Sequence, residues 1–434
     1  MGRGIHWERT GENMVQLQEI ERYIVEGDVE ALQRIVEQLN DSVDLDLLYE
    51  AAGLFAEYGF IQEADRLYET MRFHLPDEAQ LKIDRAGTLL ELGEEDEALL
   101  LLTDVRPEEE EYVQALLALA DYYQLTGMAE AALEKIKEAQ TIAPHEPVIR
   151  FAYAELLLDA GKYGEAARHY VRLLEETDEI GGVSLVSRLA ETYSAGAAYE
   201  EAIPFYEELL QDNVSPDTLF GAAFAYFQSG HAGRAIPLLD QLIDMDPDYY
   251  SAYMLAGQAQ AAAGEDRKAY SLFKDGIRRD EFDKELRLAA GKSALKLGLP
   301  EEAESHLREA LVLDPEYVEA LITLASLYDQ REQSEELLEL LAYSKEEYGD
   351  IPLLSAFSAY AYEREEQFED AYVSYSKAYT GMKDDPDFLG KYARFLLEDG
   401  KRLEAVAVVK ELLKLEPDHE DWSAFLEAEI DEEV

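Results

Sequence analysis

The chain has 434 residues, 38 Lys plus Arg against 95 Asp plus Glu, a formal charge of −57, and no cysteine. Zero cysteine excludes disulfides, thiolate nucleophiles and Cys-ligated zinc or iron–sulfur sites; the charge opposes nucleic-acid backbones and anionic membranes. Aliphatic and aromatic residues make up 47%, enough for a folded core; the longest apolar run, Leu219 to Phe227, is nine residues where a membrane span needs about 20, and the N-terminus has no apolar leader, so a cytoplasmic protein is expected.

In chain order, residues 1–13 contain Gly2, Gly4 and Gly11, show no helical periodicity and read as a disordered extension. Met14 is an alternative start. Residues 14–44 read as a degenerate helix pair around Gly27. From Leu45 to Pro417 one phrase recurs: a Gly, a few polar residues, then Ala. It runs from Gly59…Ala64, Gly93…Ala98, Gly127…Ala132 and Gly161…Ala166 through Gly230…Ala235, Gly264…Ala269 and Gly298…Ala303 to Gly400…Ala405. Ala197…Ala202 and Glu366…Ala371 lack the glycine, and Glu332…Leu337 is degenerate. The steps between the Ala positions are 34, 34, 34, 36, 33, 34, 34, 34, 34 and 34 residues, over eleven units. Twelve residues before each Ala stands another Ala or Gly, from Ala52 to Ala393; four after it stands a large apolar residue, from Tyr68 to Val409. Facing small residues let two helices approach closely, and the large residue one turn on fills the space beside the contact. Proline ends the unit at Pro76, Pro144, Pro247, Pro315 and Pro417, where it stops the second helix. Residues 418–434 read as a capping helix (Trp422, Phe425, Leu426, Ile430) with an acidic tail.

This layout resembles the tetratricopeptide repeat. The resemblance implies an all-α, right-handed α-solenoid of about eleven stacked helix pairs, one domain over 45–417. It also implies a concave groove lined by the first (A) helix of each pair. A closer resemblance, to the acidic YpiA-like tetratricopeptide proteins of Bacillus-type bacteria, rests on Glu179–Val183, Gly276–Glu281 and Leu307–Leu321. It implies a cytosolic protein without assigned chemistry.

The seven histidines form no HExxH or His-x-x-x-His pair, no Gly-rich phosphate loop is present, and the acidic clusters lack the spacing of a calcium loop. No catalytic residue, cofactor or metal is therefore expected, and an enzyme is not.

In this repeat family the groove-facing positions of the A helix are the second, fifth, ninth, twelfth and thirteenth of a unit. In the first five units they include Asp46, Glu57, Glu91, Asp121, Glu155, Asp159 and Glu191, with Asp217 beyond, and no Lys or Arg. That half either attracts basic segments or is a solvated acidic face. The sixth unit places Phe220, Phe224 and Phe227 on one helical stripe, either anchors for a peptide or packing against neighbouring A helices. From Arg267 to Arg308 ten basic residues meet eight acidic ones. Lys292 and Lys296, followed by Arg364 and Arg394, fall on groove positions. They either receive an acidic peptide or balance charge internally. The carboxylate clamp of co-chaperone repeats is not reproduced, because the ninth positions of units six, seven and nine are Phe224, Gln258 and Ser326. Gln260 and Ala294 replace the aromatic found in other units, which predicts a thin core and a hinge near residues 250–300.

The leading expectation is a non-enzymatic scaffold or adaptor for protein or peptide partners. The alternatives are a peptide-responsive regulator and a holdase-like assembly factor for basic clients.

Overall fold

The computed structural model describes residues 11–432 apart from 41, 43, 213, 349 and 350. Among these residues are 25 helices and one two-stranded hairpin. The chain divides into two compact units at Val214/Ser215, each an α-solenoid of tandem antiparallel helix pairs.

In the first unit α1 (Gly11–Glu26) and α2 (Val29–Asn40) form the N-terminal pair. Most of the expected 1–13 extension lies outside the described residues, and α1 already begins at Gly11. Five repeats follow: α3 (Leu45–Glu57) with α4 (Ile61–His74), α5 (Ala79–Glu91) with α6 (Glu95–Thr103), α7 (Tyr112–Leu125) with α8 (Ala129–Ile142), α9 (Pro147–Asp159) with α10 (Tyr163–Leu174), and α11 (Leu185–Ala195) with α12 (Tyr199–Asp212). In the second unit six repeats follow. They are α13 (Pro216–Gln228) with α14 (Ala232–Met245), α15 (Tyr250–Ala262) with α16 (Asp266–Arg279), and α17 (Lys284–Lys296) with α18 (Pro300–Leu313). Then come α19 (Val318–Gln330) with α20 (Ser334–Tyr348), α21 (Pro352–Arg364) with α22 (Phe368–Tyr379), and α23 (Pro386–Glu398) with α24 (Arg402–Leu415). The capping helix is α25 (Glu420–Glu432), whose Trp422, Phe425 and Leu426 pack on the last core cluster; the side chain of Ile430 lies outside the described residues. No described helix is long and apolar enough to cross a membrane.

The three apolar columns are the core. The Ala column, Ala64 to Ala405 with Leu337, is 0% exposed at every position. The small column and the large column are buried throughout. At the two glycines of the small column the fit is tight. A Cβ on Gly257 would collide with the Phe273 ring, and one on Gly291 would meet Leu307 at 2.9 Å. Within 250–300, Phe273 and Leu307 of the second helices thus occupy the space beside these glycines. Gln260 and Ala294 are themselves buried, and one apolar cluster runs from Ala269 to Ala361.

Every A helix ends the same way. The residue after the turn donates its N–H to a carbonyl five residues back, as in Glu94 to Leu89 (2.8 Å) and Gln367 to Tyr362 (2.8 Å), closing a Schellman motif. The motif needs a left-handed residue, and glycine supplies it in eight repeats. In the other three Ala197 (φ 55°), Glu332 (φ 55°) and Glu366 (φ 57°) adopt that conformation, each at about 1 kcal/mol. Replacing any of the three by glycine should raise stability by about 0.5–1 kcal/mol, read as a higher denaturant midpoint. Unchanged midpoints in all three would contradict the strain.

The single 36-residue step also has a structural cause. Strands β1 (Glu179–Ile180) and β2 (Val183–Ser184) pair antiparallel, Glu179 opposite Ser184 and Ile180 opposite Val183. Gly181 (φ 58°) and Gly182 (φ 80°) make the two-residue turn that such a hairpin requires. Ser184 then caps α11 by accepting from Ser187 N–H.

Candidate partner-binding groove

Helix α13 is set by Ser215, whose hydroxyl accepts from Thr218 N–H (3.1 Å), and by Pro216 at its first position. Its core side is Leu219, Ala223 and Tyr226, all buried. Phe220, Phe224 and Phe227 are half-buried on another side. Phe220 and Phe224 lie near-parallel with centroids 6.3 Å apart. Phe220 also meets Tyr249, just before the next A helix, at 5.3 Å. The Tyr249 hydroxyl donates to Asp217 (3.1 Å), and its pKa is pushed up to about 12 by burial and by that carboxylate. The stripe thus packs on the next repeat and keeps part of its ring surface open.

The four basic candidates divide. Lys292 is paired with Glu319, Lys296 with Asp266 (2.7 Å), and Arg364 with Asp329 (2.6 Å). Other cations of the Arg267–Arg308 stretch do likewise: Lys284 binds Asp314, Arg287 binds Glu309 and Arg308 binds Glu304. Of these pairs Lys292–Glu319 is the most exposed on both sides, where such pairs are worth about 0–1 kcal/mol. Arg394 has no ion pair among the described residues. It lines a pocket of about 530 Å³ with Tyr360, Arg364, Glu366, Phe368 and Lys391. Lys391 sits 4.1 Å above the Tyr360 ring, a cation–π contact, and has no ion pair among the described residues; Glu363 and Glu398 also line the pocket. The left-handed Glu366 stands on the rim of this pocket.

On the acidic half the register missed a cation. Arg188, at the sixth position of its unit, binds Glu155 and Glu191 (both 2.9 Å), and Tyr170 donates to Glu155 (2.5 Å). Asp159 accepts from Gln124, and Asp84, another sixth-position residue, accepts from Tyr49 (2.9 Å) and Gln80 (2.8 Å). Burial raises the Asp84 carboxyl. Lys391 is also a sixth-position residue. Charged groups at that offset in A helices, reaching the preceding repeat, were the signal available.

His306 is half-buried beside the Tyr270 hydroxyl (3.2 Å), its pKa lowered by burial. No group of three or more His, Asp or Glu among the described residues is arranged to hold a metal.

Tandem helix pairs with this three-column core and exposed A-helix rows define a tetratricopeptide repeat protein. Such proteins generally mediate protein–protein interactions and are typically non-catalytic scaffolds. The chain belongs to the YpiA-like tetratricopeptide family. It is 38% identical over 371 residues to the TPR repeat-containing protein YpiA of Bacillus subtilis (strain 168), covering 86% of this chain and 88% of that protein. Residues 124–178 match YpiA-like tetratricopeptide repeats and 352–419 the YpiA-like C-terminal repeats; 226–292 and 288–348 match general tetratricopeptide families. Among solved structures, the C-terminal part of a TPR repeat-containing protein from Cytophaga hutchinsonii aligns with 63% of this chain and 98% of its own, at 17% identity and TM-score 0.44. The Cut9–Hcn1 hetero-tetramer of the APC/C aligns over 94% of each chain at 12% identity and TM-score 0.37.

Proposed function

We propose that the protein is a non-enzymatic cytoplasmic scaffold or adaptor that holds segments of partner proteins along its A-helix groove. Phe220, Phe224 and Phe227 anchor apolar side chains; Lys292, Lys296, Arg364 and Arg394 meet carboxylates. The observation that carries this is the row Phe224–Phe220–Tyr249, with centroids 6.3 and 5.3 Å apart. It joins two repeats and leaves its rings half-buried rather than sealed in the core. Partly exposed aromatics in a continuous row provide rigid anchoring area at small entropic cost.

The test is affinity capture from the cytosol of the source cells. Phe220→Ala/Phe224→Ala should lose partners that survive high salt. Lys292→Glu/Lys296→Glu should lose a different, salt-sensitive set. Identical partner lists for wild type and both variants would remove both groups from the site.

A further inference from the structure

We propose that a pocket between the third and fourth repeats of the first unit takes a basic amphipathic segment of a partner protein, an apolar side chain on its floor and Lys or Arg side chains against its rim. The proposal rests on the groove-scaffold reading and names the chemistry of one partner segment.

The pocket has a volume of about 370 Å³, and its floor is Val113, Leu117, Val148 and Ile149. Val148 opens α9 and is 51% exposed. Gln114, Leu117 and Val148 occupy second and fifth positions of A helices, the groove register. The rim is Glu110, Glu111 and Glu146. No Lys or Arg lines the pocket, and Arg150 next to the floor is held by Glu176 in a two-bond pair (2.5 and 2.7 Å).

At this place unconsumed negative charge stands directly beside an open apolar floor. Glu155, Glu191, Asp159 and Asp84 all have internal partners. Glu110, Glu111 and Glu146 have no hydrogen bond or ion pair from their carboxylates among the described residues. Glu111 and Glu146 stand at the N-cap positions of α7 and α9, yet neither side chain caps its helix. A helix N-terminus favours a carboxylate nearby, which accounts for the acids but not for an open valine beside them. Like charges crowd here: the neighbouring Glu78 carboxyl is raised by burial and then by Glu111 and Glu109. A cation would relieve that repulsion, and an acidic segment would add to it. A simple cation would leave the floor uncovered; an amphipathic segment satisfies floor and rim together.

The probe is a fluorescein-labelled, end-capped peptide, Gly-Lys-Leu-Lys-Lys-Leu-Lys-Gly, titrated with the full chain and followed by anisotropy. Glu110→Gln/Glu111→Gln/Glu146→Gln should weaken binding about tenfold or more and flatten its salt dependence. Val148→Ser should weaken it about threefold or more, as should Leu-to-Ser changes in the peptide. The charge-matched control Glu130→Gln/Glu134→Gln/Glu165→Gln, on the B helices α8 and α10, should leave it unchanged. Circular dichroism checks that each variant keeps its helices. Equal weakening by rim and control triples would reduce the effect to the overall charge and overturn the proposal, as would absence of peptide binding. Loss of binding only in Phe220→Ala/Phe224→Ala would overturn this pocket while leaving the groove-scaffold reading standing.

Discussion

Arg85→Met should open α4–α6 to hydrogen exchange by about a hundredfold, a local loss of about 3 kcal/mol. Arg85 is on α5, only 7% exposed, where other repeats place Ala, Leu, Tyr or Ser. Its guanidinium meets Asp65 at 2.9 Å, Glu97 at 3.3 Å and Glu69 at 3.5 Å. Glu97 and Glu69 are largely solvated, but the Asp65 side chain is only 16% exposed. Removing the cation strands that carboxylate in a poorly hydrated site, and the stranded charge rather than the lost attraction sets the cost. Asp65→Leu added to Arg85→Met removes the stranded group, so the double variant should recover most of the protection. A double variant no better than the single would mean that packing of the Arg85 stem, not charge, holds these helices. Lys82, one turn away and 2% exposed, is tied to Asp104 at 2.6 Å and should be unaffected by the Asp65 change.

This network also marks where sequence reading stops. The three apolar columns were legible because a helix pair buries whatever stands at fixed offsets, and Ala, Gly and large apolar residues repeat at those offsets without a gap. The non-glycine turns at Ala197, Glu332 and Glu366 were legible as departures from the same period; of the hairpin at Gly181-Gly182 only the lengthened step showed, and not its two strands. The Phe220–Phe224–Phe227 stripe followed from helical geometry alone. Tyr249 did not, because it joins the stripe from the preceding turn, outside the A-helix register. Nor did the division of the cations. Among the described residues Lys292, Lys296 and Arg364 find carboxylates while Arg394 does not, a choice made by long side chains across repeats. A composition of 95 acids and 38 bases offers every cation a partner on paper. Arg188, Arg85 and the bare rim of Glu110, Glu111 and Glu146 were hidden for the same reason: period fixes which face a residue occupies, not which neighbour it binds.

Alkali should unfold the protein cooperatively just above pH 10, and the cause is the burial of tyrosine hydroxyls, reinforced by the acids they donate to. Tyr170 donates to Glu155 (2.5 Å), Tyr375 to Glu363 (2.5 Å), Tyr328 to Glu304 (2.7 Å) and Tyr49 to Asp84 (2.9 Å), while Tyr270 donates to Glu302. Burial, then the accepting carboxylate, raises the pKa of each of these hydroxyls. Tyr249 is pushed up to about 12. In the unfolded chain they ionise near pH 10. Below that pH both states hold the protons and native stability is complete. Above it the unfolded state binds fewer protons, so stability falls by up to about 1.4 kcal/mol per pH unit for each such tyrosine. Six acting together give a slope of up to about 8 kcal/mol per pH unit, comparable with a whole domain's stability within one unit. Loss of helical dichroism should coincide with the part of the tyrosinate absorbance that the Tyr→Phe variants of these positions remove. Tyr170→Phe and Tyr375→Phe should each make the decline shallower. Added salt should move the transition little, because the groups are screened by protein rather than by solvent. If the tyrosinate signal that disappears in Tyr170→Phe or Tyr375→Phe arose near pH 10 with helicity intact, these hydroxyls would be as free as in solution. In that case the acids beside them would be surface charges and not part of the core's hydrogen bonding.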